Sequence, residues 1–210
     1  MIIEKEIVGM IHTNCYFLID ENTKDLVIVD PGFDSDRLSQ KIEDEKLNLK
    51  YIILTHGHFD HMFEANDLKE KYHAKLIINK KTADVLKDDE INLCKSFIHK
   101  THNLIVDNED ILLDDGSEFE ILDTKFKLIE IGGHTPDSSC FYFEKEKVIF
   151  AGDTLFNESI GRTDFPSGDE YVLIENINNK LMLLDEDVRV LTGHGEETTI
   201  GHEKMYNMFL

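Results

Sequence analysis

Four apolar segments of this 210-residue chain end in the same way, and this repetition limits the folds open to it. Each segment predicts a strand, and each passes into a turn that contains glycine together with histidine or aspartate. The four segments end near residues 55, 131, 151 and 192. Because strand ends converge in space and loops on a rigid scaffold carry sites, we expect these polar side chains to meet.

The densest of these turns is LTHGHFDH, residues 54–61, which directly follows the apolar run YIIL. A short continuous apolar run is typical of a strand that is covered on both faces. The turn offers four side chains that bind metal or move protons: His56, His58, Asp60 and His61. The later turns add His134 in IGGHTPDSS, Asp153 in FAGDTLF and His194 in VLTGHGEET.

These seven groups are more than one zinc ion needs. Zinc binds about four ligands, and a catalytic site leaves one of those positions to water. Seven protein ligands with one shared carboxylate therefore predict two divalent metal ions, a pair that activates water and polarises a carbonyl or phosphoryl oxygen. Imidazole and carboxylate ligands without thiolate favour zinc, with iron and manganese as alternatives.

The predicted secondary structure mixes runs of strands with helices. Strands are expected at 1–8, 15–20, 25–30, 51–55, 75–79, 126–131, 140–144, 147–151 and 188–192. Helices are expected at 35–46, 61–72, 80–87, 169–183 and 200–209, whereas the polar segment 88–120 gives no clear prediction. The mixture predicts one α/β domain over residues 1–210, with its sheets sandwiched between helices.

Composition limits the kinds of partner that we expect the chain to bind and the compartment in which we expect it. A net charge of −21 repels phosphate backbones, so we expect no nucleic-acid partner. No apolar run reaches the roughly 18 residues of a membrane helix, and the first ten residues carry charges that a signal peptide lacks, so we expect no membrane association. Three cysteines, an odd and sparse set, predict reduced thiols in the cytoplasm, with Cys15 and Cys140 buried and Cys94 exposed. The oligomeric state stays open.

The stretch HGHFDH resembles the His-x-His-x-Asp-His signature of the metallo-β-lactamase superfamily. The later His134, Asp153 and His194 match the remaining ligands of that family in order and spacing. The resemblance runs from NCYFLID to GHGEETTIG, and it is strongest to the glyoxalase II branch, the hydroxyacylglutathione hydrolases. The segment GDTLFNESIGRTDFPSGD is similar to that branch's small single-domain members.

This resemblance implies an αββα sandwich, the metallo-β-lactamase fold, with the metal site at one edge of the two sheets. It implies that one metal binds His56, His58 and His134, that the other binds Asp60, His61 and His194, and that Asp153 bridges them. The implied reaction is hydrolysis of a small acyl thioester, in which Asp60 has a catalytic role by orienting the attacking oxygen.

The resemblance also implies that Arg162 binds substrate, because relatives carry a basic residue there that contacts the thiol carrier. The alternative is an ion pair of Arg162 with Asp164 or Asp169. The sequence departs from the family at HTPD, where HTPG is common, but aspartate tolerates left-handed turns better than most residues, so Asp137 need not break the loop. Only 15 residues follow Gly195, so we expect no C-terminal glutathione-binding helical domain.

Three rival functions keep the same donor set. A persulfide dioxygenase would use a single iron, and a lactonase would cleave a ring ester with the same two metals. A metal-binding partner protein without catalysis belongs to a different class, which the intact donor set argues against. An RNA-processing nuclease of this fold is disfavoured by the net charge of −21.

Overall fold

Two six-stranded sheets form the framework of the chain, for which a computed structural model describes residues 1–210. The first sheet contains, in spatial and chain order, β1 (Ile2–Val8), β2 (Thr13–Ile19), β3 (Asp25–Val29), β4 (Asn48–Ile53), β5 (Lys75–Asn79) and β6 (Ile111–Leu113). Its first three strands are antiparallel, and β3 to β6 run parallel to one another. The helices between the parallel strands lie on the outer face of this sheet.

The second sheet takes up the other half of the chain. Its strands are β7 (Glu118–Ile121), β8 (Thr124–Glu130), β9 (Ser139–Phe143), β10 (Val148–Gly152), β13 (Arg189–Thr192) and β14 (Thr198–Thr199). Between β10 and β13 the chain forms a separate hairpin of β11 (Leu155–Phe156) and β12 (Ser159–Ile160). The spatial order is β14-β13-β10-β9-β8-β7. Only the β10–β13 pair is parallel, so the carboxyl ends of these two strands lie side by side.

Six α-helices and two wide helical turns cover the sheets. They are α1 (Ser35–Asp44), α2 (Phe59–Met62), α3 (Ala65–Tyr72), α4 (Thr82–Val85), the π-helical turn Cys94–Ile98, α5 (Glu170–Asn176), the π-helical turn Ile177–Leu181 and α6 (Ile200–Tyr206). Both α5 and α6 begin at side-chain caps, where Asp169 and Thr199 accept backbone N–H groups at 3.1 Å. None of the helices is long and apolar enough to cross a membrane.

Alternation along the strands separates three apolar layers. In β2, Cys15 and Phe17 face the helices of the first sheet, while Tyr16 and Leu18 face the second sheet. The layer between the sheets contains four phenylalanines whose neighbouring ring centroids lie 5.4–5.6 Å apart: Phe126, Phe141, Phe143 and Phe150. Each fully buried ring contributes roughly 1.5–3 kcal/mol of stability. This layer holds the two sheets in a fixed relation at the edge where the site lies.

The expected αββα sandwich is confirmed, and most elements lie within a few residues of their predicted bounds. The single helix expected at 61–72 is instead two helices, because the Glu64 N–H donates to the Gly32 carbonyl at 2.8 Å and interrupts the helix. The expected helix at 169–183 changes to a π-helical turn after Asn176. Cys15 and Cys140 are buried as predicted, but the exposure predicted for Cys94 is wrong, since it is fully buried under Leu93 and its turn.

Candidate metal centre

All seven side chains that the sequence singled out as metal ligands lie together at one edge of the sandwich. The first sheet supplies four of them from the turn after β4 and from α2, which begins at once. The second sheet supplies three, from the turns that follow β8, β10 and β13. In chain order they are His56, His58, Asp60, His61, His134, Asp153 and His194. The expected convergence of strand ends is therefore present in the structure.

The donor atoms form three overlapping groups, each with its donor atoms within 4.8 Å of one another. The groups are His56–His58–His134, His56–His61–Asp153 and Asp60–His61–His194. The Asp153 carboxylate lies 3.4 Å from His61 Nε2, 3.7 Å from His134 Nε2 and 3.6 Å from His194 Nε2. It thus approaches both outer groups, as a carboxylate shared between two ions would.

Several donor atoms in this cluster are buried without a hydrogen-bond partner. They are the Nε2 atoms of His56, His58 and His61 and the Oδ1 atom of Asp153. A buried polar atom left unsatisfied costs about 1–3 kcal/mol, so four of them in one cluster would be a large penalty for a purely structural network. Imidazole nitrogens and a carboxylate with free lone pairs are the ligands that zinc and similar ions bind, and the residues therefore fit a metal centre.

A buried aspartate sets the orientation of two of these imidazoles. Asp30, directly after β3, accepts hydrogen bonds at its Oδ1 from the Thr55 N–H at 2.8 Å and at its Oδ2 from the Thr55 hydroxyl at 2.7 Å. The same Oδ2 lies 2.9 Å from His61 Nδ1, and the Thr55 oxygen lies 3.1 Å from His56 Nδ1. Both Nδ1 atoms are thereby engaged, which leaves each Nε2 atom directed at the centre. Such carboxylate contacts orient metal-binding imidazoles and increase their basicity.

Asp60 is held by neighbours on both sheets. Its Oδ2 atom accepts a hydrogen bond from the Thr13 hydroxyl at 3.0 Å and lies 3.1 Å from His194 Nε2. Burial alone would raise the pKa of Asp60, but His61 and His194 outweigh burial and keep that pKa well below its usual range. Asp60 is therefore ionised, so its carboxylate can bind a cation or accept a hydrogen bond.

Two imidazoles of the first group, those of His56 and His58, are neutral. Burial, reinforced by the neighbouring imidazoles, lowers the pKa of His56 well below its usual range and lowers that of His58 to about 3. The His134 Nδ1–H group donates to the Arg162 carbonyl at 2.6 Å, which directs its Nε2 atom at His58, 3.0 Å away. Metal ions bind neutral imidazole, so these side chains can bind an ion without first releasing a proton.

Hydrogen bonds across the sheet edge hold the turn that carries His194. The Asn14 N–H donates to the Gly193 carbonyl at 2.7 Å, and the Asn14 amide donates to the carbonyls of Thr192 and Gly195, both at 3.0 Å. The Tyr16 hydroxyl donates to the Thr192 carbonyl at 2.8 Å. These bonds join β2 of the first sheet to the end of β13 in the second.

Asp137 does not need the tolerance of aspartate for left-handed turns, because the positive φ angles in this turn belong to Gly132 and Gly133. Its carboxylate is fully buried against Gly57, between two of the predicted ligands, and neither oxygen has a hydrogen-bond partner. Burial raises the pKa of this carboxyl group. Asp137 therefore has ordinary backbone geometry. Its unusual feature is a buried carboxyl group that lies against the metal-binding turn.

Arg162 forms the ion pair that was the alternative to substrate binding. Its guanidinium donates twice to Asp164, at 2.8 and 2.7 Å, and lies 4.2 Å from the centroid of the Phe165 ring. The Phe165 ring in turn lies 5.9 Å from the His58 ring. Arg162 is thus paired with Asp164 rather than Asp169 and covers a ring that lies beside His58, and its contact with substrate stays a prediction.

Sequence reasoning missed Asp30, Thr13 and Thr55. Asp30 could have been found, since it follows the end of β3 in an Asp-Pro-Gly turn, which is the same pattern that identified the other strand ends. Thr13 and Thr55 carry no such signal, because threonine inside or beside an apolar strand is ordinary. The remaining histidines lie outside the cluster, including His99 and His102, whose rings contact backbone carbonyls elsewhere.

The family model of the Metallo-beta-lactamase superfamily matches residues 8–194 of the chain, and the fold and donor set are those of this class. The chain belongs to the metallo-β-lactamase superfamily. It is 39% identical over 94% of its length to the hydroxyacylglutathione hydrolase GloC of Haemophilus influenzae, of which it covers 92%. This identity to a hydroxyacylglutathione hydrolase confirms the resemblance to the glyoxalase II branch.

Two solved structures extend the comparison. The structure titled BLEG-1 B3 metallo-beta-lactamase superposes with a TM-score of 0.92 at 34% identity, covering 100% of this chain and 99% of that one. TTHA1623, solved in a di-iron-bound form, superposes with a TM-score of 0.83 at 26% identity, covering 99% and 100%. The chain is accordingly a metallo-hydrolase of this superfamily, with the histidine-rich metal-binding site that its dinuclear enzymes typically have.

Proposed function

We propose that the chain is a dinuclear metal-dependent hydrolase of small acyl thioesters that works in the cytoplasm. The observation that carries the proposal is the pair of three-residue donor groups, one on each side of Asp153, in which the Nε2 atoms of His56, His58 and His61 are buried without a hydrogen-bond partner. The thioester is supported by the identity to a hydroxyacylglutathione hydrolase, a name that belongs to the relative. Zinc is the metal proposed first, and the di-iron relative makes iron the main alternative.

Each residue of the metal centre has a proposed role in this reaction. His56, His58 and His134 would hold one ion, Asp60, His61 and His194 the other, and Asp153 both. When bound, such a pair of ions polarises the scissile carbonyl and activates water. Asp60 is ionised and fixed by Thr13, so its carboxylate accepts a hydrogen bond from the attacking water and orients that water toward the carbonyl carbon. The leaving thiol needs no general acid, because its pKa of about 8.5 lies far below that of an alcohol.

The test is thiol release from lactoylglutathione and related thioesters by the metal-loaded protein, before and after chelation. We expect release that stops on chelation and returns with metal. Asp60→Asn should lose at least about 100-fold in kcat while bound metal persists in part, since the amide keeps the shape of the carboxylate without its charge. Metal content is measured on every sample. A loaded protein that cleaves no thioester of the panel would contradict the proposal.

A second candidate, hydrolysis of a lactam or lactone ring, is favoured by the close superposition on a structure titled a B3 metallo-beta-lactamase. The same ions and the same Asp60 would serve it, so geometry alone does not separate the two. The panel therefore includes a penicillin, a cephalosporin and an acyl-homoserine lactone. Oxygen consumption with glutathione persulfide, in the presence of iron, tests the dioxygenase alternative in the same experiment.

A further inference from the structure

A row of aromatic rings leads away from the first donor group. The Phe165 ring lies 5.9 Å from the His58 ring and 6.5 Å from the His134 ring. The Phe97 ring lies 6.1 Å from that of Phe165, edge to face, and is stacked on Phe59 at 5.3 Å with an interplanar angle of 13°. Phe97 is 53% exposed, so this row presents an open apolar surface beside the metal centre.

The exposed Phe97 ring is fixed in place by a buried polar residue. The Asn92 Oδ1 atom accepts the Cys94 N–H at 3.0 Å, and its amide donates to the carbonyls of Val85 and Leu86 at 3.4 and 3.3 Å. The Asn92 carbonyl accepts the Phe59 N–H at 2.9 Å, which ties this segment to the helix of Asp60. Fully buried Cys94 anchors the turn that presents Phe97. An exposed aromatic ring on such a rigid support is typical of a binding surface.

Phe59, on which Phe97 is stacked, also lines an open groove of about 780 Å³. Its apolar lining comes from Met10, Ile11, Phe33, Phe59 and Ile98. Met10 is 94% exposed, on the turn between β1 and β2, so the groove has an uncovered apolar wall. Cavities lined by aromatic and aliphatic side chains next to reactive groups bind the apolar parts of small molecules.

The charges around this surface disfavour anions. The groove carries four acidic side chains, Asp34, Asp36, Glu64 and Asp67. Its only basic residue is Arg37, whose guanidinium is engaged by Glu6 at 2.8 Å and by the Ile7 carbonyl at 2.7 Å. At the other end of the row, the charge of Arg162 is matched by Asp164. A multiply anionic thiol carrier would therefore meet repulsion from these carboxylates, while both arginines beside this surface are already paired with acids.

From the ring geometry and this charge pattern, we infer that the substrate carries an uncharged apolar group, of the size of a benzyl or short alkyl chain, which packs on Phe97 and Phe165. This inference rests on the proposed thioesterase function and adds the substrate class. The apolar group belongs either to the acyl part or to the thiol part of the substrate. The two sources share one chemistry, and two substrate series distinguish them.

The experiment uses metal-loaded protein and two series of thioesters. The first varies the acyl group on one neutral thiol, from lactoyl and acetyl to hexanoyl and phenylacetyl. The second keeps the acyl group and varies the thiol, from glutathione and coenzyme A to benzyl mercaptan. We expect kcat/KM to rise about tenfold or more with apolar size in one series, which identifies the source of the group. Equal kcat/KM across both series would overturn the inference.

Variants connect this preference to the rings. Phe97→Ala should remove most of the rise for apolar substrates, while Phe97→Leu should keep part of the rise. Phe209→Ala is the matched control, because Phe209 is 47% exposed near the chain end. It should behave as the unchanged protein. A uniform loss in Phe97→Ala across all substrates would also overturn the inference.

A binding measurement separates this inference from the proposed function. Calorimetric titration with S-benzyl and S-methyl thioethers of one neutral thiol needs no hydrolysis. We expect the S-benzyl compound to bind about tenfold more tightly, and Phe97→Ala to abolish the difference. If no thioester is cleaved but this difference appears, the reaction class is wrong and the apolar subsite stands. Equal binding of the two thioethers overturns the subsite, whatever the reaction.

Discussion

Single residues at the metal centre act mainly by deciding which nitrogen of each imidazole is free. Asp30 engages His61 Nδ1 directly and His56 Nδ1 through the Thr55 hydroxyl, so one buried carboxylate aligns two ligands from the same turn. The Arg162 carbonyl does the same for His134. This arrangement explains why the Nε2 atoms of His56 and His61 can be buried in the cluster without a hydrogen-bond partner.

Replacing Asp153 by alanine tests the number of ions. Asp153 lies within 3.7 Å of histidines from both outer groups, so its removal should lower occupancy at both positions. We expect metal analysis after dialysis to fall from two ions per chain to one or fewer. Asp187→Ala, at an exposed carboxylate, is the control. Two tightly bound ions in the Asp153→Ala protein would show that Asp153 is no bridge.

Arg162→Ala tests the predicted contact with substrate. The guanidinium covers Phe165 at the mouth of the centre, so its loss should lower kcat/KM by roughly tenfold for charged and neutral thioesters while the metals stay bound. Its ion pair with Asp164 is exposed, so little stability should be lost. Unchanged kcat/KM in a well-folded variant would leave Arg162 with a purely structural role.

Asp137→Asn tests the buried acid that replaces the common glycine. Burial raises its pKa, so the folded state binds more protons than the unfolded state, and stability falls as pH rises from about 4 through the folded pKa. The amide has no such titration. We expect the variant to be about 1–3 kcal/mol more stable than the unchanged protein at pH 8, with the gap narrowing toward pH 4.

This comparison uses urea unfolding of metal-free protein, so that no bound ion alters the surroundings of the carboxyl group. Glu175→Gln, at an exposed position of α5, is the matched control and should show no gap at either pH. A gap that is the same at pH 4 and pH 8 would mean that Asp137 does not titrate as its burial requires.

At the level of elements, the second sheet delivers its ligands through turns with almost no free space. Gly193, between β13 and His194, lies so close to Asp153 that a Cβ atom there would be 2.1 Å from Asp153 Oδ1. Gly195, two residues further on, has a positive φ of 72° but nothing within 4 Å of the added atom. The two glycines are therefore needed for different reasons, space at one and backbone conformation at the other.

Gly193→Ala and Gly195→Ala form a matched pair that separates these reasons. Gly193→Ala should displace Asp153 and weaken metal binding by at least about tenfold, as measured by competition with a chromophoric chelator. Gly195→Ala should cost about 1 kcal/mol of stability and leave metal affinity nearly unchanged. Equal metal affinity in the two variants would contradict the close packing of β13 against Asp153.

In the whole molecule, the metal centre joins the two halves of the sandwich. Four of the predicted ligands come from the first sheet and three from the second, so bound ions would link sheets that also meet through apolar side chains and through hydrogen bonds of Asn14, Tyr16 and Asn79. An ion that binds only the folded state stabilises it by about 2.7 kcal/mol at 100 times its dissociation constant. Metal should therefore act as a structural as well as a catalytic component.

Removal of metal tests this coupling. Chelation should lower Tm by roughly 5–10 °C for each tightly bound ion, because about 1 kcal/mol shifts Tm by 2–4 °C in a chain of this size. Restoring zinc should restore Tm, and the Asp153→Ala protein should respond less. The measurement is differential scanning calorimetry with metal content determined in parallel. An unchanged Tm after verified removal would mean that the ions do not join the sheets.

The sequence by itself determined the class of fold and predicted the candidate donor residues, which the structure brings together. Each predicted ligand stands directly after an apolar strand, so local periodicity and turn residues were enough to find it, and the order of the motifs carried the family resemblance. The sequence also singled out Arg162 and left its partner open between Asp164 and Asp169, and the structure shows the pair with Asp164.

Only the tertiary structure decided what surrounds those donors. Asp30 meets His61 across 31 residues of sequence, and Phe97 meets Phe165 from a segment that gave no clear prediction. Neither contact leaves a periodic signal, because each depends on how distant elements pack rather than on local backbone preference. Burial likewise made the prediction for Cys94 wrong and raised the pKa of Asp137. The sequence could not show this, because a side chain is buried by the elements that cover it and not by its own neighbours in the chain.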